Sequence, residues 1–370
     1  MDFALSEEQQ AIQRTFRDFA DREIRPVAAS LDEEPRFPVE LFRRVGELGF
    51  FGMRYPEPEG SGADVVTYVL AVEELARGSL AVAAACTMQS LMGTYFVARY
   101  APPPLRERLF APALRGEKVG TICMTEPDAG SDLNAIATRG EKSGDEWLLT
   151  GSKTWITSAP VADFFTVLAR TGEDALSVFL VERGASGLSI GRNIEKMGVR
   201  ASLTSEVFFE RTPAACLLGD EGQGMLYLRE ILAEIRVMTA ALAVGVGQAA
   251  FEEARRYSGE RQQFGRPIRK FQAVQQHLAD MAVDLEAARR LTHWAAWRSD
   301  QGQENVTEAA MAKLFASEAA MRVCDRAARV VASYGYATDS PIQRYLRDAR
   351  FTLIGGGTSE ILRINIARGV

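Results

Sequence analysis

The residue types best suited to chemistry lie in two short segments, not in a cluster of acids, histidines or cysteines. The first is Thr125-Glu126-Pro127-Asp128-Ala129-Gly130-Ser131-Asp132, dense in small hydrogen-bonding groups and tight-turn residues after an apolar stretch. Such a loop brings backbone N–H groups close to a flat polar ligand. The second, Lys153-Thr154-Trp155-Ile156-Thr157-Ser158, sets an indole between hydroxyls, which suits an aromatic ring with polar edges. An ordinary loop with a buried Trp155 fits the same residues. The chain has only 2 histidines, His277 and His293, each within a helical stretch and neither near a metal-like cluster, so no metal site is expected. No nucleophile elbow, P-loop or HExxH sequence occurs. Gly355-Gly356-Gly357 lacks the strand–turn–helix setting of a dinucleotide fingerprint.

Composition narrows the class. A net charge of −6 carries no basic footprint, which argues against nucleic acid as a partner. Cys86, Cys123, Cys216 and Cys324 are widely spaced, which points to free thiols in a reducing compartment and a cytoplasmic protein. Met1-Asp2-Phe3-Ala4-Leu5-Ser6 lacks the basic and apolar regions of a signal peptide, and no apolar run is expected to reach the length of a membrane span.

The elements that would position the two segments follow from periodicity. Ser6-Glu7-Glu8-Gln9 predicts a capping box, followed by Ile12, Phe16, Phe19, Ala20 and Ile24 at helical spacing. Further helices are predicted near 40–49, 66–77, 81–99 and 104–115. From about residue 118 short β-rich runs take over, with turn residues such as Ser143-Gly144-Asp145 between them. After Gly222-Gln223-Gly224 helical texture returns, over 226–258, 270–300, 306–334 and 341–350. The pattern predicts an α+β multidomain chain. An N-terminal helical domain (1–117) precedes a middle antiparallel β-domain, barrel or sandwich (118–222), and a C-terminal helical bundle (223–370).

Five motifs, in order along nearly the whole chain, resemble those of the acyl-CoA dehydrogenase family. Residues 123–132 resemble its "TEPxAGSD" signature and residues 151–157 its "GxKxWIT" strand. Lys196-Met197-Gly198-Val199-Arg200-Ala201-Ser202 resembles "KLGxRxS". Glu260-Arg261-Gln262-Gln263-Phe264-Gly265 with Phe271-Gln272 is similar to "ERxxFGxxxxxFQ". Arg347-Asp348-Ala349 and Gly357-Thr358-Ser359-Glu360-Ile361 resemble the C-terminal "RDA…EGTSEI" block.

The resemblance implies FAD and an acyl thioester of CoA or a carrier protein. It implies that Thr125 and Thr157 hydrogen-bond the flavin ring, that Trp155 packs on it, and that Ser131 lies near the pantetheine arm. Arg261, Phe264 and Gln272 would hold the FAD diphosphate and adenosine across a subunit interface, with Thr358 and Glu360 also facing the cofactor. A homodimer or homotetramer is implied as well, with electrons passing to an electron-transfer flavoprotein or to oxygen.

One departure bears directly on the reaction. The family's carboxylate base sits in a "YEGTSEI" sequence, and here Gly356 occupies that position, with Gly355 replacing the aromatic residue before it. Some members carry the base just before an arginine corresponding to Arg236, and that slot is Ile235. Glu234 is the nearest substitute, although one residue of shift turns a helical side chain by ~100°. Arg236 keeps a thioester as the expected ligand, although Ala233 stands where an acidic or amide residue is common; Gln89 is a further candidate contact in the acyl pocket. Dehydrogenation by an unlocated base is the leading expectation. Oxygenation, redox-neutral elimination of the desulfination type, or a catalytically inactive flavin- and thioester-binding protein are the alternatives.

Overall fold

The computed structural model describes residues 4–370; residues 1–3, on which the reading of the leader partly rests, lie outside it. Helix Glu7–Phe19 begins with the capping box that its sequence predicts. The Ser6 hydroxyl accepts from Gln9 N, and the Gln9 side chain accepts from Ser6 N, each at 3.1 Å. Helix Val65–Gly78 starts from Asp64, whose carboxylate accepts from Thr67 N at 2.6 Å. Asp300, from the far end of the chain, accepts from Val65 N and Val66 N at 2.6 and 3.2 Å. A negative charge at a helix N-terminus is favourable, so this contact also fastens the first helices to the last bundle.

Every residue of Val65–Gly78 except Val66 is buried, including Glu73, Glu74 and Arg77, and these charges are paired. Glu73 bonds Arg289 at 3.0 Å and His293 at 2.9 Å, so His293 is a satisfied structural residue. The long helix Gly224–Glu260 crosses Val65–Gly78 at Gly245, where a Cβ would meet Glu73 O at 2.3 Å. Only glycine allows so close an approach. Gln272–Asp300 and Val306–Val331 pack on the other sides of the long helix.

The segment Leu80–Tyr100 corrects the expectation about membrane-length runs. It is apolar and long enough to cross a membrane by composition, but 89% of an apolar 18-residue window within it is buried inside the protein. Its helix turns into a π segment at Met88–Gly93 and serves as core.

Between the helical regions lie β1 (Gly120–Cys123), β2 (Arg139–Ser143), β3 (Glu146–Thr157), β4 (Phe164–Arg170), β5 (Leu176–Glu182), β6 (Leu188–Asn193), β7 (Thr204–Pro213) and β8 (Cys216–Leu217). They form one sheet in the order β6-β7-β3-β2-β4-β5-β8, with β1 beside β4. Most pairings are antiparallel as expected, but β1 and β2 both run parallel to β4. The sheet is therefore mixed. The β2–β3 hairpin and the turn after it lie between β1 and β4 in sequence, which gives the chain length to return in the same direction.

The C-terminal bundle is tied to the sheet through helix Pro341–Thr352. Asp348 accepts from Val199 N at 2.6 Å, and Arg347 bonds Asp32 and the Met197 carbonyl. Burial pushes the Asp348 carboxyl up to about 6, above its usual range. A group raised on folding contributes stability that is complete below its unfolded value and lost as pH rises through its folded value. Asp348→Asn keeps the acceptor for Val199 and removes the charge. We expect it to raise the melting temperature above pH 6, by an effect on the order of 2–3 kcal/mol at ~1.4 kcal/mol per pH unit. Melting curves from pH 4 to 8 test this: unchanged slopes in the variant would show that Asp348 is not the titrating group.

Candidate active site

β1 delivers the chain to residues 124–132, and a buried ion pair fixes that loop in place. The Lys153 ammonium, fully buried, donates to Met124 O at 3.0 Å and to Glu126 Oε1 at 2.8 Å. The Glu126 carboxylate also accepts from Ala137 N at 2.7 Å and Thr138 N at 3.0 Å. Burial pushes that carboxyl up, but Lys153 and the two N–H donors outweigh it and hold it below the usual range. Thr154 N donates to Thr125 O at 2.9 Å, so Thr125 is laid directly against β3.

At the same point β3 breaks register with β7, between Lys153 and Ile156. Trp155 lies there with φ 59° and its side chain 57% exposed. A bulky L-residue in the left-handed region costs about 1–2 kcal/mol. The reading of Trp155 as an ordinary buried side chain is thereby overturned. Strain held at an exposed indole is typical of a ligand contact. The Thr125 and Thr157 hydroxyls beside it have no protein partner among the described residues, and Ser158 Oγ is buried without one. A free aromatic face bordered by unused hydroxyls matches a flat ring system with polar edges, as a flavin has.

The other expected cofactor residues lie elsewhere in the chain. Arg261, Phe264 and Gln272 belong to the exposed hairpin and helix start that come after the long helix. Phe264 is 92% exposed with φ 51°, and the Arg261 guanidinium has no ion pair among the described residues. Thr358 caps helix Ser359–Gly369, accepting from Ile361 N at 3.4 Å, and its side chain also hydrogen-bonds the Glu360 carboxylate. Glu360 and Ser131 are exposed.

The glycine loop 355–357 lies against the long helix. Gly356 has φ 73°, and a Cβ there would stand 2.9 Å from Thr239 Oγ1. Arg236 precedes Thr239 by three residues, so both share the helix face that meets the loop. Arg236 is 5% exposed, and its Nε and Nη1 have no hydrogen-bond partner. From the other side, Lys313 of helix Val306–Val331 donates to Gly357 O at 2.6 Å. Burial, with Arg236 nearby, lowers the Lys313 ammonium to about 8.

Two candidates are corrected. Glu234 is not a free base, since its carboxylate is bound to Arg54 at 2.5 Å. One residue of helical rotation, ~100°, separates it from the Ile235 slot and turns it into an ion pair. Gln89 is not an acyl-pocket contact. It is 1% exposed, donates to Ala113 O and Lys118 O, and accepts from Gly120 N, so its amide joins backbone segments. Ile235 is buried in the core, so that slot also holds no acid.

Sequence reasoning passed over Lys313. Its signal was a lysine on a face of small residues, Ala309, Ala310, Ala316, Ser317 and Ala320, where a charge has no place unless it is used.

The chain is similar to known proteins over nearly its full length. Models of the acyl-CoA dehydrogenase N-terminal, middle and C-terminal domains match residues 6–117, 121–212 and 222–370. The benzylmalonyl-CoA dehydrogenase of Aromatoleum aromaticum is 56% identical over 379 residues, covering 100% of both chains. The mitochondrial short-chain specific acyl-CoA dehydrogenase of Bos taurus is 39% identical over 98% of this chain and 90% of its own. The structure of butyryl-CoA dehydrogenase from Megasphaera elsdenii superposes with a TM-score of 0.96 at 33% identity, covering 100% of this chain and 99% of that one. A glutaryl-coenzyme A dehydrogenase in complex with glutaryl-CoA gives 0.96 at 38% identity, over 99% and 96%. The chain belongs to the acyl-CoA dehydrogenase family and is an FAD-dependent enzyme acting on acyl-CoA.

Proposed function

We propose that this enzyme oxidises a CoA thioester carrying a carboxylate on Cα, and that loss of this group as CO2 replaces removal of the α-proton. The observation that carries the reading is that, among the described residues, no free carboxylate occupies either base position beside the glycine loop. Gly356 stands where the family resemblance puts the base, Ile235 fills the alternative slot, and Glu234 is held by Arg54. A base typically contributes ~10²–10⁴-fold, so an ordinary acyl-CoA would react slowly here.

The name of the benzylmalonyl-CoA relative supplies a chemistry that needs no base. In a 2-substituted malonyl thioester the Cα–carboxylate bond breaks, CO2 leaves, and the electron pair stays on Cα. That pair forms the Cα=Cβ bond as the hydride leaves Cβ with its own pair. The products are an α,β-unsaturated thioester and CO2, with no proton released. FAD supplies the hydride acceptor.

In this reading Thr125 and Thr157 hydrogen-bond the flavin edge, and Trp155 covers it on the side that the bent β3 strand presents. Ser131 lies along the pantetheine arm. Arg261, Phe264 and Gln272 serve the FAD of a second copy, in a homodimer or homotetramer; the exposure of Phe264 supports this. Thr358 and Glu360 border the cofactor. An electron-transfer flavoprotein is the proposed electron acceptor, and four free cysteines support a cytoplasmic setting. Oxygenation and redox-neutral elimination have no specific observation in their favour.

The test is anaerobic mixing of the FAD-loaded enzyme with benzylmalonyl-CoA and, separately, with 3-phenylpropionyl-CoA. Flavin bleaching with stoichiometric CO2 is expected from the first only. Equal bleaching by the second, or none by the first, would overturn the reading.

A further inference from the structure

We propose that Arg236 and Lys313 together form the receptor for the substrate's α-carboxylate, in the space beside Gly356. This rests on the reading of the substrate as a 2-carboxyacyl thioester and adds the residues that select it.

The argument begins with charge. Buried cations are ordinarily paired, because an unpaired one forfeits its hydration. Arg236 is 5% exposed, yet its Nε and Nη1 find no acceptor. Lys313 is fully buried and hydrogen-bonds one neutral carbonyl, Gly357 O, at 2.6 Å.

The acids of this region are committed or outside it. Glu234 is bound to Arg54, Glu318 bonds Arg363 at 2.6 Å, and Glu360 is exposed at the start of its helix. Glu360 and Glu318 act on Lys313 only from a distance, so among the described residues no carboxylate is in contact with either buried cation. Ser359 Oγ, two residues beyond the carbonyl that Lys313 holds, is also buried without a partner.

Space and position agree with charge. Gly356 has no side chain, and its Cα faces Thr239, on the helix turn that carries Arg236. Lys313 grips the next residue of the same loop. The two cations thus flank the position from which a glutamate at 356 would project. A ligand that brings its own carboxylate there satisfies both.

Selectivity arises from the same balance. A site with buried donors discriminates against the analogue that leaves them unpaired more strongly than an apolar pocket discriminates by a methylene group. A plain acyl-CoA fills the pocket but leaves Arg236 and Lys313 without an anion. Pairing also stabilises the carboxylate before it departs, so the receptor acts on binding more than on the chemical step. Weakening it is expected to raise KM more than it lowers kcat.

Malonyl-CoA tests this independently of oxidation, because it has the α-carboxylate but no Cβ to give up a hydride. Its affinity for the FAD-loaded enzyme, read by perturbation of the flavin spectrum, is compared with that of acetyl-CoA. A preference for malonyl-CoA on the order of 10–100-fold is expected for charge-assisted bonds in a buried site. In Lys313→Met that preference is expected to fall at least several-fold, with acetyl-CoA affinity and FAD content unchanged. Equal affinities in the unsubstituted enzyme overturn the receptor whether or not any variant folds. If benzylmalonyl-CoA nevertheless releases CO2 there, only the receptor assignment falls and the decarboxylating reading stands. A Lys313→Met enzyme that keeps FAD and the full preference removes Lys313 from the site.

Discussion

Gly356→Glu combined with Thr239→Ala is expected to convert the enzyme to ordinary acyl-CoA dehydrogenation. The rate of flavin bleaching by 3-phenylpropionyl-CoA should rise by ~10²–10⁴-fold, the usual contribution of a positioned base. The glutamate alone is not enough. A Cβ at 356 would stand 2.9 Å from Thr239 Oγ1, and the backbone there has φ 73°. Removing the hydroxyl leaves Thr239 Cβ, at 3.5 Å, as the nearest remaining atom, which is ordinary contact. The left-handed conformation still costs about 1–2 kcal/mol, which the fold must absorb. Gly356→Glu alone is therefore expected to melt lower and retain less FAD than the double variant. The new carboxylate would lie beside Arg236 and Lys313 and take the place proposed for the substrate's own. Activity on benzylmalonyl-CoA should fall as activity on the plain thioester appears. Single-turnover bleaching with both substrates reads both changes. A double variant that folds, keeps FAD and binds both thioesters but gains no activity on 3-phenylpropionyl-CoA would mean that residue 356 is not where the base belongs.

What was legible in the sequence divides by the range of the interaction that decides it. The Ser6–Gln9 capping box is a contact over three residues, and the structure has it as the spacing predicts. The long helices are set by periodicity, and their ends move by only a few residues, as with Gly224–Glu260 against an expected 226–258. Strand direction is different, because β1 beside β4 is a pairing over some forty residues that no local pattern encodes. The apolar stretch at Leu80–Tyr100 has a composition that a buried helix and a membrane helix share, and only its packing separates them.

At the site the same division holds. Gly356 was visible because a motif has a fixed slot for an acid, and the slot is empty. Trp155 was visible as a residue type, but not its exposure, which depends on a break in pairing with β7. Gln89 looked like a polar side chain on an apolar helix. Its partners Ala113, Lys118 and Gly120 lie 24 to 31 residues away, and their backbone positions cannot be read locally. Glu234 could not be judged without Arg54, 180 residues earlier. Lys313 could have been flagged, since a lone cation on a face of small residues is a local anomaly, but its target at Gly357 could not.

Lys153→Met is expected to be among the most damaging single substitutions in the β-domain, costing about 3–5 kcal/mol. The size comes from the group left unpaired. Lys153 is fully buried and Glu126 is 7% exposed, so removing the ammonium leaves a carboxylate with two backbone donors and no counter-charge. Glu126→Gln in the same chain should recover much of the loss, because the amide oxygen still accepts from one of those donors and no charge is stranded. Urea unfolding of the single and double variants measures the difference. The pH dependence has a definite sign. The Glu126 carboxyl is held below its ordinary value in the folded chain, so its stabilisation is present above the unfolded pKa and lost as pH falls through the folded one. Glu126→Gln should therefore flatten the acid limb of the stability curve. The pair also holds Met124 O and, through Glu126, the loop that carries Thr125 to β3. Loosening that loop should weaken FAD retention even at temperatures where Lys153→Met remains folded. A Lys153→Met protein that loses less than about 1 kcal/mol and retains FAD normally would show that β3 pairing alone positions Thr125, and that the ion pair is incidental to the site.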